Sequence, residues 1–207
     1  MKLKYDLLKN WIRPNGQISL DSELGRLLFA ISSLSENKVV VEIGTWNGLG
    51  SSTIIAKGIA AGEAHSKAFG LEVDYNRVCQ SRRHLRKYDF FTVTHGRIIE
   101  VADLDSSSLN DIEKQWFDSD VQNMSAAPNI LNSLPKQIDV LLLDGGEFSS
   151  YAEYVALKDR VVRWLILDDV NARKNCRVLK EAVESGDFAQ VWLSNERNGT
   201  AILVKRA

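Results

Sequence analysis

The sequence predicts an α/β domain: a doubly wound, mainly parallel seven-stranded sheet with an antiparallel C-terminal hairpin strand. Short β-branched and aliphatic runs alternate with segments of helical periodicity, which is the pattern of consecutive βαβ units. Several of these runs end in a carboxylate or a glycine, at the edge where such sheets bind their ligands. The last two apolar runs flank the turn-forming residues 195–199, which indicates a hairpin.

Length and charge narrow the class of protein. The 207 residues can bury a large core within one domain, with residues 1–20 as an N-terminal extension. The 26 basic and 27 acidic side chains form no basic tail, so we expect a small-molecule partner and no nucleic acid. We also expect a cytoplasmic protein with no membrane partner, because no segment is typical of a signal peptide or a bilayer span. The sequence does not indicate the oligomeric state.

Regular structure is predicted to begin with a short helix before Pro14 and a second helix over residues 21–34. In the second helix, apolar residues recur at helical spacing, and Asp21 or Ser22 can cap the N-terminus. It leads into a β-branched run over residues 39–43, which is typical of a parallel strand covered on both faces. We interpret these helices as scaffold for the strand.

A glycine-rich loop follows this strand. Gly44, Gly48 and Gly50 allow tight bends and a close approach of the backbone to a ligand. Ser51 or Ser52 can cap the helix that comes next. The strand, the loop and the helix start together predict a cofactor site.

The alternation continues through the rest of the chain. After a second strand over residues 67–74, a helix over 76–87 is predicted to bury Val78, Cys79 and Leu85. The later elements are a strand over 90–94, a strand over 138–143, a helix over 151–160, a strand over 163–167, a helix over 174–184 and hairpin strands over 189–193 and 200–205. The residues expected on the apolar side of the last helix are Cys176, Leu179, Ala182 and Val183.

One polar stretch, residues 103–137, interrupts this alternation. Pro128 and Pro135 limit regular structure near its end, and Trp116 with Phe117 is its expected apolar anchor. We interpret the stretch as an insertion or a lid.

Carboxylates collect at the predicted carboxyl edge of the sheet. The strand ends carry Glu42, Glu72, Asp74, Asp144 and the pair Asp168 and Asp169. Buried strands have no structural need for these side chains, and acids at one edge repel each other unless a cation or a hydroxyl-rich ligand meets them. A shared ligand site is therefore the better interpretation.

The loop spacing separates two classes of nucleotide ligand. A dinucleotide site needs Gly-x-Gly-x-x-Gly so that backbone amides meet a pyrophosphate, whereas this chain has Glu42-x-Gly44-x-x-x-Gly48-x-Gly50. The leading acid opposes a pyrophosphate but suits an amino group and a sulfonium. Glu72, at the end of the next strand, can accept hydrogen bonds from both hydroxyls of a ribose. The pattern indicates a nucleoside cofactor without phosphates.

In these features the sequence resembles the Rossmann-like, class I S-adenosylmethionine-dependent methyltransferases. The resemblance rests on residues 41–48 as the cofactor loop, residues 71–74 as the ribose element and the closing hairpin, and it extends from about Asp21 onward. It implies S-adenosylmethionine as the cofactor. The residues implied to bind it are Glu42, Gly44, Trp46 and Gly48 in the loop, Glu72 at the ribose, Gly96, Arg97 and Ile98 at the adenine, and Asp144 near the methyl group.

A narrower resemblance is to small-molecule O-methyltransferases related to the catechol-methylating and antibiotic-sugar-methylating enzymes. It rests on residues 143–147 and 167–171. In that group, acids after the fourth and fifth strands hold a divalent, magnesium-like ion. The matching ligands here are Asp144, Asp168 and Asp169, whose hard oxygen donors suit Mg²⁺. Such an ion would orient an acceptor hydroxyl and lower its pKa.

The match departs from that group at the general base. The catechol-type enzymes place a lysine three residues after the first Asp, where this chain has Glu147, and the histidine of the sugar-modifying enzymes is absent. Asp144 and Glu147 are therefore the catalytic candidates, and Glu147 can equally be a metal contact or a solvated loop residue. Asp168 can instead cap a turn, and Asp144 can bind loop amides.

The sequence thus predicts a methyltransferase that uses S-adenosylmethionine to methylate a hydroxyl of a sugar or other metabolite, with a divalent metal ion as an optional aid. One alternative is a metal-independent methyltransferase in which Asp144 and Glu147 orient the acceptor. The other is a non-catalytic S-adenosylmethionine-binding module, because a fold and a cofactor loop do not establish turnover.

Overall fold

Two helical layers enclose a seven-stranded sheet in the computed structural model, which describes residues 18–62 and 65–206. The strands are β1 (Val39–Ile43), β2 (Lys67–Glu72), β3 (Phe91–His95), β4 (Ile138–Leu143), β5 (Val161–Asp168), β6 (Phe188–Ser194) and β7 (Thr200–Lys205). Their order is β3-β2-β1-β4-β5-β7-β6, and β7 is the strand that runs antiparallel to its neighbours. The predicted doubly wound sheet with its hairpin strand is confirmed. The short helix predicted before Pro14 lies outside the described residues.

Both faces of the sheet are covered by helices. The helices are α1 (Glu23–Ser33), α2 (Ser51–Ala61), α3 (Tyr75–Leu85), α4 (Asp111–Ala126), α5 (Ser150–Leu157) and α6 (Arg173–Glu184). Because successive strand side chains point to opposite faces, Val40 packs in the core with α1 to α3, while Val41 packs in the core with α4 to α6. Burial on both sides explains why the strand sequences are almost entirely aliphatic. No helix within the described ranges is long and apolar enough to cross a membrane.

The strand register brings the polar strand ends together. Ile43 pairs with Leu71 on one side and with Leu143 on the other, and Leu143 pairs with Leu167. The residues that follow these positions therefore leave the sheet side by side. This register places the β1–α2 loop, the end of β2 and the acids after β4 and β5 at one edge.

The helix faces correct three sequence-based expectations. Cys79 on α3 and Cys176 on α6 are exposed rather than buried. The residues that α6 buries are Lys174, Asn175, Val178 and Ala182, whereas Val183 is 40% exposed. On α2 the N-cap residue is Gly50, and neither Ser51 nor Ser52 caps the helix. Ser22 does cap α1, through a hydrogen bond from the backbone N–H of Gly25.

The segment 103–137 contains regular structure that the sequence interpretation missed. Helix α4 spans 16 of its residues and starts with a capping box formed by Asn110 and Glu113. Its apolar anchor is Phe117, which packs edge-on against Phe148, while Trp116 is 56% exposed. A largely polar helix gives a weak periodicity signal, which is why the pattern did not reveal it. Its role as an insertion or a lid stays a prediction.

Candidate functional site

A cavity of about 380 Å³ opens at the carboxyl edge of the sheet. Its walls are the β1–α2 loop, the ends of β2 and β3, the loop after β4, and one side of α4. This volume lies in the range of pockets that hold small organic ligands. The cavity-lining residues that the sequence predicted as cofactor-binding are Gly44, Trp46, Glu72, Gly96, Arg97, Ile98 and Asp144.

The first wall depends on glycine at position 44. Gly44 has a φ of +89°, and a Cβ there would lie 2.2 Å from the carbonyl oxygen of Asp144. Its backbone N–H donates to the carbonyl of Leu71. No larger residue can take this position without moving the loop after β4, so the β1–α2 loop packs directly against the ends of β2 and β4.

Trp46 is held in the loop by contacts on three sides. Its φ of 49° is in the left-handed region, which costs free energy for a residue other than glycine. Its backbone N–H donates to Glu72 Oε2 at 2.8 Å, and its carbonyl accepts from Ser81 Oγ at 2.7 Å. The Arg77 guanidinium lies 3.9 Å from the centre of the indole. The ring is 49% exposed at the mouth of the cavity.

The Glu72 carboxylate is oriented by backbone donors. Its Oε1 accepts hydrogen bonds from the N–H groups of Val73 and Asp74, at 2.9 and 3.1 Å, in addition to the Trp46 bond on Oε2. Burial raises the pKa of Glu72, and these donors oppose that rise. Each carboxylate oxygen can accept two hydrogen bonds, so Oε2 retains capacity for a ligand hydroxyl.

Glu42 and Gly48, which were also predicted to bind the cofactor, are not among the residues that line the cavity. Glu42 is 1% exposed, and its Oε2 accepts a hydrogen bond of 2.6 Å from Ser52 Oγ. Burial raises the pKa of Glu42 to about 8. A Cβ on Gly48 would lie 2.9 Å from the Cα of Ser81. Both residues therefore support the loop from behind, and direct contact with a cofactor stays a prediction.

Gly96, Arg97 and Ile98 form the wall after β3. The Arg97 side chain donates to the carbonyl of Ala127 at 3.1 Å and to that of Ile99 at 2.6 Å. The bond to Ala127 holds the segment after α4 against the wall, and the bond to Ile99 lies within the wall itself. A Cβ on Gly96 would come within 2.7 Å of the Ile130 side chain. This wall is compact and has little freedom to rearrange.

Two further acids line the cavity and were missed by the sequence interpretation. Glu153 on α5 is 5% exposed, and its Oε2 has no hydrogen-bond partner among the described residues. Burial raises the pKa of Glu153 to about 7. Asp120 on α4 faces the same space, and burial, followed by the charge of Glu147, raises its pKa to about 6. The sequence did not indicate Asp120 as a cavity residue, because an acid on a polar helix usually faces solvent.

Glu147, predicted as a catalytic candidate, does not line the cavity. Its Oε1 accepts from the backbone N–H of Lys174 at 3.3 Å, at the start of α6. A carboxylate at a helix N-terminus is stabilised by the free N–H groups and the helix dipole. The arrangement gives Glu147 a structural task that the sequence did not indicate, and its catalytic role stays a prediction.

The three acids predicted as metal ligands lie together. Asp144, Asp168 and Asp169 each place a carboxylate oxygen within 4.8 Å of the others. Asp168 is 1% exposed, and burial, followed by the Asp144 charge, raises its pKa to about 7. Its Oδ2 lies 3.4 Å from the Arg197 guanidinium. Their role as metal ligands is a prediction that the grouping alone does not test.

A lysine that the sequence interpretation overlooked lies among these acids. Lys174 Nζ donates to Asp144 Oδ1 at 2.6 Å and to Asp169 Oδ2 at 3.1 Å, and the side chain is 8% exposed. Burial opposes the charged form, but the two carboxylates outweigh it and raise the pKa of Lys174. The spacing Lys174, Val178, Ala182 could have revealed it, because residues four apart share one helix face.

The three acids with Lys174 among them do not fit a bound divalent ion. The carboxylate donors have the right chemistry for Mg²⁺, and Asp168 Oδ1 and Asp169 Oδ1 have no hydrogen-bond partner among the described residues. However, the Lys174 ammonium bridges two of the three carboxylates. This ammonium would repel a divalent ion in the cluster. Two unit charges about 4 Å apart interact by about 4 kcal/mol at an effective dielectric constant of about 20, and the double charge of the ion doubles that repulsion.

Solved structures share this fold. An O-methyltransferase from Bacillus cereus in complex with S-adenosylhomocysteine is 16% identical, with a TM-score of 0.65 over 99% of this chain and 88% of that chain. The O-methyltransferase TomG from Streptomyces achromogenes, in complex with S-adenosylmethionine, is 15% identical, with a TM-score of 0.64 over 96% and 86%. A methyltransferase from Geobacter sulfurreducens is 18% identical, with a TM-score of 0.63 over 92% and 81%. No protein-family model and no curated protein matches the sequence. The comparisons establish a Rossmann-like methyltransferase fold.

Proposed function

We propose that this chain, which has the fold of class I S-adenosylmethionine-dependent O-methyltransferases, transfers the methyl group of S-adenosylmethionine to a hydroxyl of a small molecule. One observation carries the proposal. The glycine loop after β1 and the Glu72 carboxylate, which the sequence linked to a nucleoside without phosphates, line a single cavity. Their connection through the Trp46 N–H makes them one binding surface.

The charge of the cavity supports a cationic cofactor. Five carboxylates line it, from Glu72, Asp74, Asp120, Asp144 and Glu153, against the two guanidinium groups of Arg77 and Arg97. A pyrophosphate would be repelled by this surface, whereas the sulfonium and the α-ammonium group of S-adenosylmethionine would be attracted. The buried Oε2 of Glu153 has no hydrogen-bond partner among the described residues, and a carboxylate oxygen can accept a hydrogen bond from an ammonium group.

The residues that line the cavity suggest how the cofactor lies. In our proposal Glu72 accepts from the ribose hydroxyls, and Gly96, Arg97 and Ile98 contact the adenine. In the same proposal Asp144 lies near the methyl group. The close packing of its backbone carbonyl on Gly44 sets the position of Asp144. Glu42 acts indirectly, because its bond to Ser52 holds the start of α2 against β1.

Methyl transfer then needs an acceptor oxygen in line with the carbon–sulfur bond. A lone pair of the oxygen forms the new bond to the methyl carbon, the carbon–sulfur electron pair goes to sulfur, and S-adenosylhomocysteine leaves. The hydroxyl proton passes to a base. Asp120 suits this role better than Glu147, because it lines the cavity and has a pKa of about 6. The remainder of the acceleration would come from positioning.

Two measurements test the proposal. Calorimetry with S-adenosylhomocysteine should show saturable binding, and NAD⁺ at the same concentration should show none. Incubation with S-adenosylmethionine and a panel of hydroxyl-bearing metabolites should give a product heavier by one methylene, detected by mass spectrometry. Binding without transfer to any acceptor would favour the non-catalytic binding module. Binding of NAD⁺ in preference to S-adenosylhomocysteine would contradict the cofactor assignment.

A metal-assisted form of the reaction is the second candidate. The grouping of Asp144, Asp168 and Asp169 within 4.8 Å favours a divalent ion such as Mg²⁺. The contact between Lys174 and two of these carboxylates argues against it. The proposed reaction therefore uses no metal ion.

A further inference from the structure

The acid cluster after β4 and β5 has cationic partners supplied by the chain itself. Lys174 Nζ contacts Asp144 Oδ1 at 2.6 Å and Asp169 Oδ2 at 3.1 Å. The Arg197 guanidinium lies 3.4 Å from Asp168 Oδ2. Each of the three carboxylates is therefore paired with a side-chain cation.

Helix α6 holds the lysine in this position. The neighbouring Asn175 donates from Nδ2 to the carbonyls of Leu143 and Asp168, at 3.0 and 2.6 Å. These bonds join the start of α6 to the ends of β4 and β5. One helical turn further on, Val178 is fully buried. The bonds of Asn175 fix the backbone from which the largely buried Lys174 side chain extends to the acids.

The lysine is connected to the cavity through Asp144. Asp144 lines the cavity, whereas Lys174 does not. The shorter of the two lysine contacts is the one to Asp144. A charge-assisted bond of this length fixes the orientation of the carboxylate. Lys174 is therefore a positioning residue, which acts on the reaction site through the side chain that it holds.

We infer that Lys174 takes the place of a divalent cation in this cluster, so that Asp144 is oriented by an internal ammonium group and the protein binds no metal ion there. That no metal ion binds in the cluster follows from the geometry of Lys174 and the acids. The catalytic half rests on the proposed function, because it states that methyl transfer proceeds without a divalent ion.

Metal titration tests the first half and needs no acceptor. Calorimetry and Mn²⁺ electron paramagnetic resonance on the unmodified protein should detect no site tighter than about 1 mM, the weak end of protein sites for divalent cations. Lys174→Met leaves Asp144 and Asp169 without their cation while Arg197 still pairs with Asp168, and it should bind Mn²⁺ at least tenfold more tightly than the unmodified protein. The matched control is Lys158→Met, which removes a lysine paired with Glu181 instead. That control should leave Mn²⁺ affinity unchanged.

Folding defects are separated from this effect by two further measurements. Circular dichroism and thermal unfolding report whether Lys174→Met folds. If Lys174→Met does not fold, the inference is tested with the unmodified protein and with Lys174→Arg, which retains the positive charge. Both should fail to bind Mn²⁺. Tight Mn²⁺ binding by the unmodified protein that is lost in Asp168→Asn would overturn the inference.

Chelation tests the second half. Dialysis against EDTA should leave the rate of methyl transfer unchanged, and added Mg²⁺ should not increase it. Loss of activity on chelation with recovery on Mg²⁺ addition, while S-adenosylhomocysteine still binds, would overturn the inference and leave the proposed function intact. Absence of S-adenosylhomocysteine binding would instead count against the proposed function, and the Mn²⁺ titration would still decide the role of Lys174.

Discussion

The backbone N–H of Trp46 donates a hydrogen bond of 2.8 Å to the carboxylate of Glu72. A single side chain thereby joins the end of β2 to the glycine loop after β1. The same carboxylate also binds the N–H groups of Val73 and Asp74. Glu72 thus shapes the cavity in addition to presenting an acceptor to it, and its replacement should affect both tasks.

Replacing Glu72 with alanine should weaken S-adenosylhomocysteine binding at least tenfold in calorimetry. A hydrogen bond to a charged group contributes about 1.5–3 kcal/mol, and the loop also loses its tether. The control is Glu36→Ala, which removes an exposed glutamate and should leave the affinity unchanged. Equal affinities for Glu72→Ala and the unmodified protein would refute the ribose assignment.

Gly44→Ala and Gly186→Ala form a matched pair. Both glycines have positive φ, but a Cβ on Gly44 would meet the Asp144 carbonyl at 2.2 Å, whereas one on Gly186 would meet nothing within 4 Å. Urea unfolding should show a loss of about 1–2 kcal/mol for Gly186→Ala from backbone strain alone. Gly44→Ala should lose roughly 1–3 kcal/mol more, from steric overlap, together with S-adenosylhomocysteine binding. Similar losses in the two variants would show that the close approach to Asp144 is unimportant.

Glu42→Gln should change how stability depends on pH. The pKa of Glu42 rises from 4.5 to about 8 on folding, because burial disfavours its charge. Between these pH values the native state keeps a proton on Glu42 that the unfolded state has released. The stability that this proton contributes is therefore lost progressively as the pH rises from 4.5 through about 8. The unmodified protein should therefore lose up to about 1.4 kcal/mol per pH unit relative to Glu42→Gln. The test is urea unfolding from pH 5 to 8, with the exposed Glu36→Gln as control; parallel curves would contradict the burial argument.

The carboxyl group of Asp120 should titrate with a pKa of about 6 in ¹³C NMR spectra. Burial is the main cause, and the Glu147 charge is the second, so Glu147→Gln should lower the pKa of Asp120 without restoring its ordinary value. Glu184→Gln, at the opposite end of α6 from Glu147, should leave the titration unchanged. An unaltered pKa in Glu147→Gln would show that the two carboxylates do not interact.

Helix α6 illustrates how a local pattern misidentifies a buried face. Read as apolar periodicity, its sequence favoured Cys176 and Val183, which are exposed, over Lys174 and Asn175, which are buried. Polar residues at those positions are stable because Asn175 binds two strand-end carbonyls and Lys174 binds two carboxylates. These partners lie at the ends of β4 and β5, so the periodicity of α6 can show which of its residues share a face but not what that face contacts.

Helix α4 and the cavity illustrate a second limit. Gly44, Glu72 and Asp144 were predicted at this edge from the sequence because they lie at or directly after strand ends, and the ends of parallel strands meet at one edge. Asp120 and Glu153 reach the same cavity from helices. Their direction depends on how α4 and α5 pack on the sheet, which the sequence of either helix does not encode by itself.

The sequence by itself determined the order of the strands and of the helices other than α4, the hairpin at the C-terminus and the edge at which polar groups gather. These features follow from short-range periodicity and from the general geometry of parallel sheets. Only the tertiary structure decided that Glu42 supports the loop from behind and that Lys174 lies within the acid cluster. Both outcomes depend on which charged groups share a buried space, and that is set by packing between segments far apart in the chain.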